Sequence, residues 1–269
     1  GGIERIRVVD NGVGIPTQEA NLAFERFATS KLSQAEDLES ISTLGFRGEA
    51  LPSIAAVSTL TMLTRSASDS FGTRVVVSDG KPPLSQSQGA PLGTSLTVQH
   101  LFRNFPARRK FLRRPSTEAS QIQALTARYA LAYPKVKFRL EIDGATAFTT
   151  PGNGVLREAV SAVYGEQIAT SMLDIESKEI NEVETDMVSG MVGAPTISRA
   201  NRSRINLFVN GRWIQDRSLG HALEESYRGF LMERRFPVAV VHICVPFDSI
   251  DVNVHPSKTE VRFLQQGQV

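Results

Sequence analysis

Cysteine is almost absent from this chain of 269 residues, since Cys244 is the only one. A single cysteine excludes an internal disulfide framework and a metal cluster held by several thiolates. Cys244 lies in the apolar run of residues 240–245, so we expect it to be buried in a strand. No metal site made of protein side chains is predicted, because the four histidines are not spaced as ligands: His100, His221, His242 and His255.

Long apolar runs are also lacking. No stretch approaches the ~20 apolar residues of a membrane helix, and no signal peptide is visible, so the sequence predicts a soluble cytoplasmic protein. A content of 41% hydrophobic and 22% charged residues is typical of a globular chain, and the length allows two cores. The net charge of +2 is too small to indicate nucleic-acid binding, so any basic surface has to be local.

A glycine-bearing turn follows the first apolar segment. Residues 3–9 predict a buried strand, which ends on Asp10, Asn11, Gly12 and Gly14. Glycine allows backbone conformations and close approaches that side chains forbid. The Asp10 carboxylate could accept a hydrogen bond from an exocyclic amine such as that of adenine. On these residues alone, an ordinary Asp-Asn-Gly turn is the simpler interpretation.

A second glycine-bearing turn, residues 45–48, precedes a helix predicted from the spacing of Leu51, Ile54 and Ala55. The free N–H groups and positive dipole end of such a helix can hold phosphates. Pro52 is compatible with the first turn of a helix. Between the two glycine turns we expect a helix that Thr17 caps and that runs through Phe24 and Phe27, and then a mobile flap over residues 28–42.

Four runs of sequence carry a family resemblance: Asp-Asn-Gly-Val-Gly-Ile at 10–15, Ala-Thr-Ser-Lys at 28–31, Gly-Phe-Arg-Gly-Glu-Ala-Leu at 45–51 and Asp-Val-Asn-Val-His-Pro-Ser-Lys at 251–258. Together they resemble the N-terminal part of the MutL family of DNA mismatch repair proteins. That family shares the GHKL ATPase superfamily with gyrase, heat-shock chaperones and sensor histidine kinases. The first run is common to the superfamily and the others are much narrower. The resemblance covers essentially the whole chain.

The resemblance implies an α+β fold with two domains. Residues 1–133 would form a GHKL ATPase α/β sandwich, and residues 134–269 a smaller α+β domain of the type found in gyrase and ribosomal proteins. The boundary is placed at Tyr133-Pro134, because a residue before proline is disfavoured in a helix. Within the second half, Asp143-Gly144 and Asn210-Gly211 predict hairpin turns. Asp216 predicts the cap of a helix that extends over Leu219, Leu223, Tyr227 and Phe230.

The resemblance also implies that ATP and Mg²⁺ are the cofactors. Lys258 would sense the terminal phosphate from the second domain, His255 would order its loop, and Glu49 would cap or support the phosphate loop. The water-activating glutamate and the magnesium-binding asparagine would lie before Gly1, so no general base is expected in this chain, and hydrolysis is expected of the intact protein. The implied nucleotide-binding residues are Asp10, Gly12, Gly14, Thr29, Ser30, Lys31, Gly45, Phe46, Arg47, Gly48, Glu49, Ala50, Leu51, Thr94 and Lys258.

The implied function is an ATP-gated clamp. ATP would order the flap and cause homodimerisation, and the closed dimer would hold DNA through its phosphates. The partners would be a mismatch sensor and a downstream nuclease or helicase, in the bacterial cytoplasm and at the nucleoid. Arg217 matches a DNA-binding position of the family, and Arg212 and Arg202 are further candidates, with Arg199 and Arg204 behind them.

Other interpretations remain open from the sequence. The basic stretch of residues 105–112 could touch a phosphate backbone, or it could be the solvated face of a helix that packs through Phe105, Phe111 and Leu112. Another GHKL protein, such as a gyrase-type subunit, a chaperone or a histidine kinase, is disfavoured by the run at 45–51 and by the lack of those proteins' own motifs. A DNA-binding or scaffold fragment that uses no nucleotide is the alternative from a different functional class.

Overall fold

The computed structural model describes residues 2–26, 48–78, 80–176, 187–251 and 262–263. The strands are β1 (Arg5–Asp10), β2 (Thr59–Arg65), β3 (Gly72–Ser78), β4 (Leu84–Gln88), β5 (Gly93–Gln99), β6 (Arg139–Ile142), β7 (Ala145–Thr149), β8 (Met172–Glu176), β9 (Met187–Gly193), β10 (Ile205–Val209), β11 (Arg212–Ile214), β12 (Ala239–Cys244), β13 (Ile250–Asp251) and β14 (Arg262–Phe263). The α-helices are α1 (Ala50–Ala55), α2 (Pro106–Lys110), α3 (Pro115–Ala132), α4 (Leu156–Tyr164), α5 (Glu166–Thr170) and α6 (Arg217–Ser226).

The described residues form two compact units that meet, in sequence, within α3. The first unit ends at Ile122 and the second begins at Gln123. The expected boundary after Tyr133, close to the C-terminal end of the same helix, stays a prediction.

The first unit contains an antiparallel five-stranded sheet in the order β1-β5-β2-β3-β4. Alternate residues of β2 and β3 point to one face, as the period of a strand requires. On that face Leu60, Met62 and Val75 are fully buried and pack with α1 and Phe24.

β1 is the strand that was expected at residues 3–9, but it is not buried as predicted. The strand exists, but among the described residues it lies at the edge of the sheet and pairs only with β5. Val8 and Val9 are 58% and 60% exposed, and Ile6 is the only residue of β1 that is not exposed. Apolar content indicated the strand correctly, whereas burial depends on what packs against it.

The segment after the first glycine turn also differs from its prediction. Residues 17–21 form turns and Leu22–Phe24 form a short 3-10 helix instead of an α-helix, and Phe27 lies outside the described residues. The hydroxyl groups of Thr17 and Thr73 are hydrogen bonded at 2.8 Å, so Thr17 ties this segment to β3 and does not cap a helix.

The second unit is built on a sheet in the order β11-β10-β12-β9-β8, in which β10 and β12 are parallel. Both faces of its centre are buried. On one face Leu207, Val209 and Val241 pack with residues of α6. On the other face Phe208 and Val240 pack with α3, α4 and α5. Helices on both faces of a mixed sheet explain why β12 is almost continuously apolar.

Local turn chemistry in the second unit follows the predictions. Asn210 and Gly211 both have positive φ, at 47° and 76°, as do Asp143 and Gly144 at 51° and 83°. Two consecutive positive φ values are what a tight type I′ hairpin requires. Both predicted hairpins, β10–β11 and β6–β7, are confirmed.

The predicted α6 begins as expected and ends early. The Asp216 carboxylate accepts the Leu219 N–H at 2.9 Å, which confirms the predicted cap. The helix ends at Ser226, and Phe230, which we expected inside it, lies beyond its end and is 72% exposed.

Cys244 is the last residue of β12 and is exposed, so its predicted burial is wrong. The core-facing position at that end of the strand is occupied by Ile243. Among the described residues, no helix is both long and apolar enough to cross a membrane.

Candidate nucleotide-binding site

Three strand ends meet at the first glycine turn. Asp10 at the end of β1 is paired with Thr94 of β5, and Thr94 is paired in turn with Thr64 of β2. A carboxylate and two hydroxyl-bearing residues therefore lie side by side across the sheet. Asp10 and Thr94 are 84 positions apart in the chain, and it is the strand register that makes them neighbours.

Thr64 is a site residue that the family resemblance did not indicate. Its hydroxyl accepts the Ile15 N–H at 2.8 Å and lies 3.0 Å from the Thr94 hydroxyl. The side chain is 1% exposed, so these bonds are sheltered from water. The only signal in the sequence was a hydroxyl in the third core-facing position of β2, after the apolar Leu60 and Met62.

Thr64→Val is expected to destabilise the chain by about 2 kcal/mol. Valine keeps the shape of threonine but leaves the Ile15 N–H without its acceptor, and a buried unsatisfied donor costs roughly 1–3 kcal/mol. The measurement is urea unfolding. Thr61→Val is the matched control in the same strand, because Thr61 makes no side-chain hydrogen bond within the described residues; equal losses for the two variants would contradict the assignment.

The glycine turn itself is held by close backbone contacts. The Gly12 N–H donates to Oδ1 of Asp10 at 2.9 Å, and Oδ2 accepts no hydrogen bond within the described part of the chain. Gly14 has φ +71°, and a Cβ there would lie 2.0 Å from the Arg65 carbonyl oxygen. The turn therefore needs glycine at position 14, and it leaves one oxygen of an exposed carboxylate free to bind a ligand.

A hydroxyl-rich cluster fixes the end of this loop. Oδ2 of Asp69 accepts hydrogen bonds from the Ser66 hydroxyl at 2.7 Å and from the Thr17 N–H at 3.2 Å. The Ser66 hydroxyl, with further help from Thr17, lowers the pKa of Asp69, so the carboxylate stays ionised. Together with the bond from Ile15 to Thr64, this contact clamps residues 14–17 onto the turn after β2. Asp69 also borders a hollow of about 470 Å³.

Part of the predicted phosphate loop is described. Gly48 has φ +60°, and Glu49 and Ala50 begin α1. The Glu49 side chain makes no capping hydrogen bond within the described residues, which corrects its predicted capping role, while its carbonyl accepts the Ser53 N–H at 3.1 Å. Leu51 packs on the first core. The other predicted residues lie outside the described residues: Thr29, Ser30, Lys31, Gly45, Phe46, Arg47, His255 and Lys258.

Two predicted DNA-binding arginines line one cavity of about 560 Å³ in the second unit. Arg217 is the exposed first residue of α6. Arg202 forms a paired contact with Glu224, with Nε–Oε1 and Nη2–Oε2 distances of 2.5 and 2.9 Å. The hydrogen bond raises the pKa of Arg202 and lowers that of Glu224. Glu224 thus neutralises much of the Arg202 charge, while Arg217 makes no ion pair within the described part of the chain.

Arg212 does not belong to an exposed surface. It is 6% exposed, and burial lowers the pKa of its guanidinium. This burial corrects its predicted role as a contact for DNA phosphates and makes it a structural arginine. Arg204 is half-buried, with its guanidinium 3.9 Å from the centre of the Tyr164 ring. Arg199 is tied through its backbone to Phe236.

The basic stretch that includes α2 also differs from its expected packing. Phe111 is 87% exposed and Phe105 is 39% exposed, so the helix does not pack through these two rings.

Among the described residues, no cluster of three or more His, Cys, Asp or Glu side chains could hold a metal ion.

The chain is similar to known mismatch repair proteins along its whole length. A family model described as the C-terminal domain of DNA mismatch repair protein matches residues 160–269. The chain is 46% identical over 269 residues to DNA mismatch repair protein MutL of Desulforudis audaxviator, covering 100% of this chain and 47% of that protein. It is 44% identical over 271 residues to MutL of Heliobacterium modesticaldum, covering 100% of this chain and 40% of the relative. The chain thus spans less than half the length of these relatives.

Solved structures show the same fold. The crystal structure of the N-terminal domain of a DNA repair protein matches with a TM-score of 0.80 at 23% identity, covering 99% of this chain and 82% of that one. The Aquifex aeolicus MutL ATPase domain in complex with ADP matches with a TM-score of 0.62 at 26% identity, covering 90% and 80%. The predicted α+β architecture, a GHKL ATPase fold followed by a second α+β domain, is confirmed.

Proposed function

Because this chain belongs to the MutL family of DNA mismatch repair proteins, we propose that it carries the ATP-binding and DNA-binding part of an ATP-gated repair clamp. The observation that carries the nucleotide assignment is the strand-end arrangement of Asp10, Thr94 and Thr64 beside the glycine turn. A structural neighbour of the same family is described as an ATPase domain complexed with ADP, which supports a nucleotide as the ligand.

The residues at the turn suit the base and sugar end of a nucleotide. The free Oδ2 of Asp10 would accept a hydrogen bond from the adenine amine, and the Thr94 hydroxyl, held by the buried Thr64, is a neighbouring polar group. Gly12 and Gly14 keep side chains out of the approach. Hydrogen bonds to Thr64 and Asp69 fix residues 14–17 before a ligand binds. Less conformational entropy is therefore lost when the ligand binds.

The phosphate end is proposed for the residues outside the described part, together with the start of α1. Lys31 and the loop 45–51 would hold the phosphates, and Lys258 would contact the terminal phosphate. Mg²⁺ would be carried with ATP on those phosphates. Hydrolysis is proposed for the intact protein.

DNA binding is proposed for the surface around Arg217. Its guanidinium is exposed at the start of α6 and is not neutralised by a carboxylate within the described residues. The contact would be with phosphates and would not select a sequence. The clamp would dimerise on ATP, act in the bacterial cytoplasm and couple a mismatch sensor to a downstream nuclease or helicase.

Calorimetric titration with ATP tests the nucleotide assignment, and sedimentation with a non-hydrolysable analogue tests dimerisation. Saturable binding is the expected result. A chain that binds DNA but gives no saturable ATP signal would favour the nucleotide-independent DNA-binding or scaffold fragment instead.

Arg217→Ala is expected to weaken duplex binding several-fold at low salt. Loss of one phosphate contact should lower the slope of log affinity against log salt by about 0.9. The measurement is fluorescence anisotropy on duplexes of unrelated sequence across a salt series. Arg139→Ala is the matched control, because Arg139 is exposed but paired with Glu141. An unchanged salt slope for Arg217→Ala would count against this surface.

A further inference from the structure

The hollow of about 470 Å³ that Asp69 borders, here named the β4 hollow, lies on the core-facing side of the first sheet. Thr73 and Val75 of β3 face the first core, and their partners across the strand pair are Ser87 and Ser85 of β4. Paired residues lie on the same face of a sheet, and both serines are exposed. The core face therefore continues at β4 as a floor of hydroxyl groups.

Two segments of the first unit border this floor. One is the segment that follows the glycine turn, in which the Thr17 hydroxyl is hydrogen bonded to that of Thr73 and the Asn21 side-chain amide donates to the Ser85 hydroxyl at 3.4 Å. The other is the turn between β2 and β3, which contributes Asp69 and Phe71. The β4 hollow is therefore built on the same residues, Thr17 and Asp69, that clamp the glycine turn.

The charge of the β4 hollow is negative. Among the described residues that line it, Asp69 is the one charged group, and it stands among five hydroxyl side chains and the amides of Gln18 and Gln86. The pKa of Asp69 is lowered, so the group is a carboxylate at neutral pH, and it forms no ion pair within the described part of the chain. A ligand that enters this hollow has to be a donor of hydrogen bonds, and a positive charge on it would be attracted.

An exposed aromatic ring completes the lining. Phe71 is 65% exposed, so most of its ring is open to a ligand. The face of an aromatic ring attracts cations, and a phenyl group offers no ligand atom to a metal ion. A guanidinium group is planar, weakly hydrated and able to stack on a ring while its fork of N–H groups donates to several acceptors, whereas an ammonium is a compact, strongly hydrated point charge. The combination of one carboxylate, many hydroxyl groups and one open ring thus suits a guanidinium best.

We propose that the β4 hollow binds a small molecule that carries a guanidinium group, and that its occupation strengthens nucleotide binding at the neighbouring glycine turn. The guanidinium would donate to the Asp69 carboxylate and to the hydroxyl groups of the floor, and it would stack on Phe71. The volume of the hollow falls within the roughly 300–1,000 Å³ of small-molecule sites. The coupling rests on the nucleotide-binding part of the proposed function and adds a second ligand that regulates it.

The coupling follows from the two residues that the hollow and the clamp share. A carboxylate has about four acceptor sites, so a cation can bind Asp69 while the hydrogen bonds from Ser66 and Thr17 stay in place. A bound cation would fix Asp69 and, through it, the Thr17 end of the glycine turn. ATP would then have less backbone left to order, which gives positive cooperativity without a large structural change. Linkage requires ATP to strengthen binding of the guanidinium by the same factor.

The first measurement is saturation-transfer NMR on the methyl group of methylguanidinium with the whole chain. Saturable binding is expected, and methylurea, which has the same shape but no charge, should not bind. Phe71→Ala should bind methylguanidinium about threefold more weakly, since an exposed cation–π contact contributes about that factor, and Phe71→Tyr should restore binding. Phe230→Ala is the matched control, because Phe230 is a 72% exposed phenyl group of the second unit and should have no effect.

The second measurement is calorimetric titration with ATP, with and without methylguanidinium at constant ionic strength. Saturating methylguanidinium should raise the affinity for ATP about fivefold, at the lower end of usual coupling between sites. Phe71→Ala should bind ATP like the wild type when methylguanidinium is absent. At a concentration that half-saturates the wild type, methylguanidinium should raise the ATP affinity of Phe71→Ala less, whereas pairing of the cation with ATP in solution would affect both proteins equally.

Wild-type affinity of Phe71→Ala for methylguanidinium would overturn the proposal, as would equal binding of methylurea or an ATP affinity that does not rise. Failure of the proposal is distinguishable from failure of the proposed function. Normal ATP binding that methylguanidinium leaves unchanged overturns the proposal alone. If the wild-type chain binds no ATP with or without methylguanidinium, the nucleotide-binding part of the proposed function fails, and the coupling fails with it.

Discussion

Asp10→Asn is expected to lower the affinity of the chain for ATP by about 100-fold. Asparagine can keep the acceptor for the Gly12 N–H, which lies 2.9 Å from Oδ1, so the turn should survive. The second oxygen becomes an NH₂ donor and would face the donor amine of adenine. Loss of a charge-assisted hydrogen bond costs roughly 1.5–3 kcal/mol, and 1.4 kcal/mol is tenfold in affinity. The measurement is calorimetric titration with ATP.

Asp143→Asn is the matched control for this substitution. Asp143 occupies a hairpin with φ 51°, a conformation that asparagine also tolerates, so the variant should bind ATP like the wild type. If Asp10→Asn dimerises fully with a non-hydrolysable ATP analogue, the assignment of Asp10 to the base is wrong.

Gly14→Ala is expected to destabilise the first unit by about 3 kcal/mol or more and to weaken ATP binding. A left-handed conformation costs a residue with a side chain roughly 1–2 kcal/mol. In addition, a Cβ at position 14 would lie 2.0 Å from the Arg65 carbonyl oxygen and 2.9 Å from the Ser66 nitrogen, so the backbone has to move. Urea unfolding gives the loss directly.

Gly89→Ala provides the comparison. Its Cβ would meet no atom within 4 Å, so its stability should change by no more than about 0.5 kcal/mol. Equal stability of Gly14→Ala and Gly89→Ala would show that the turn can relax away from β2. In that case close packing of the glycine turn would not be what holds the site together.

Local patterns predicted local structure well in this chain. Asn210-Gly211 and Asp143-Gly144 are hairpins, and Asp216 caps α6, because these conformations depend on residues that are adjacent in the chain. Less regular elements were missed for the same reason. β4, with the sequence Leu-Ser-Gln-Ser-Gln, is wholly exposed and has no apolar alternation to reveal it.

The resemblance supplied candidate site residues that spacing alone could not. Thr94 was a candidate only through the resemblance, and the structure places it next to Asp10. No comparable signal pointed to Thr64 or Asp69, whose bonds to Ile15 and Thr17 clamp the turn. These contacts join residues about 50 positions apart, which a reading of neighbouring residues does not reach.

By itself, the sequence determined the family, the α+β class, the turns and the chemical types present at the strand ends. Only the tertiary structure decided which of these residues meet and which are accessible. It exposed β1, Cys244 and Phe111, which apolar character had suggested were packed, and it buried Arg212. The physical reason is that conformational preference is set by neighbours along the chain, whereas burial and register are set by partners that folding brings from far away in sequence.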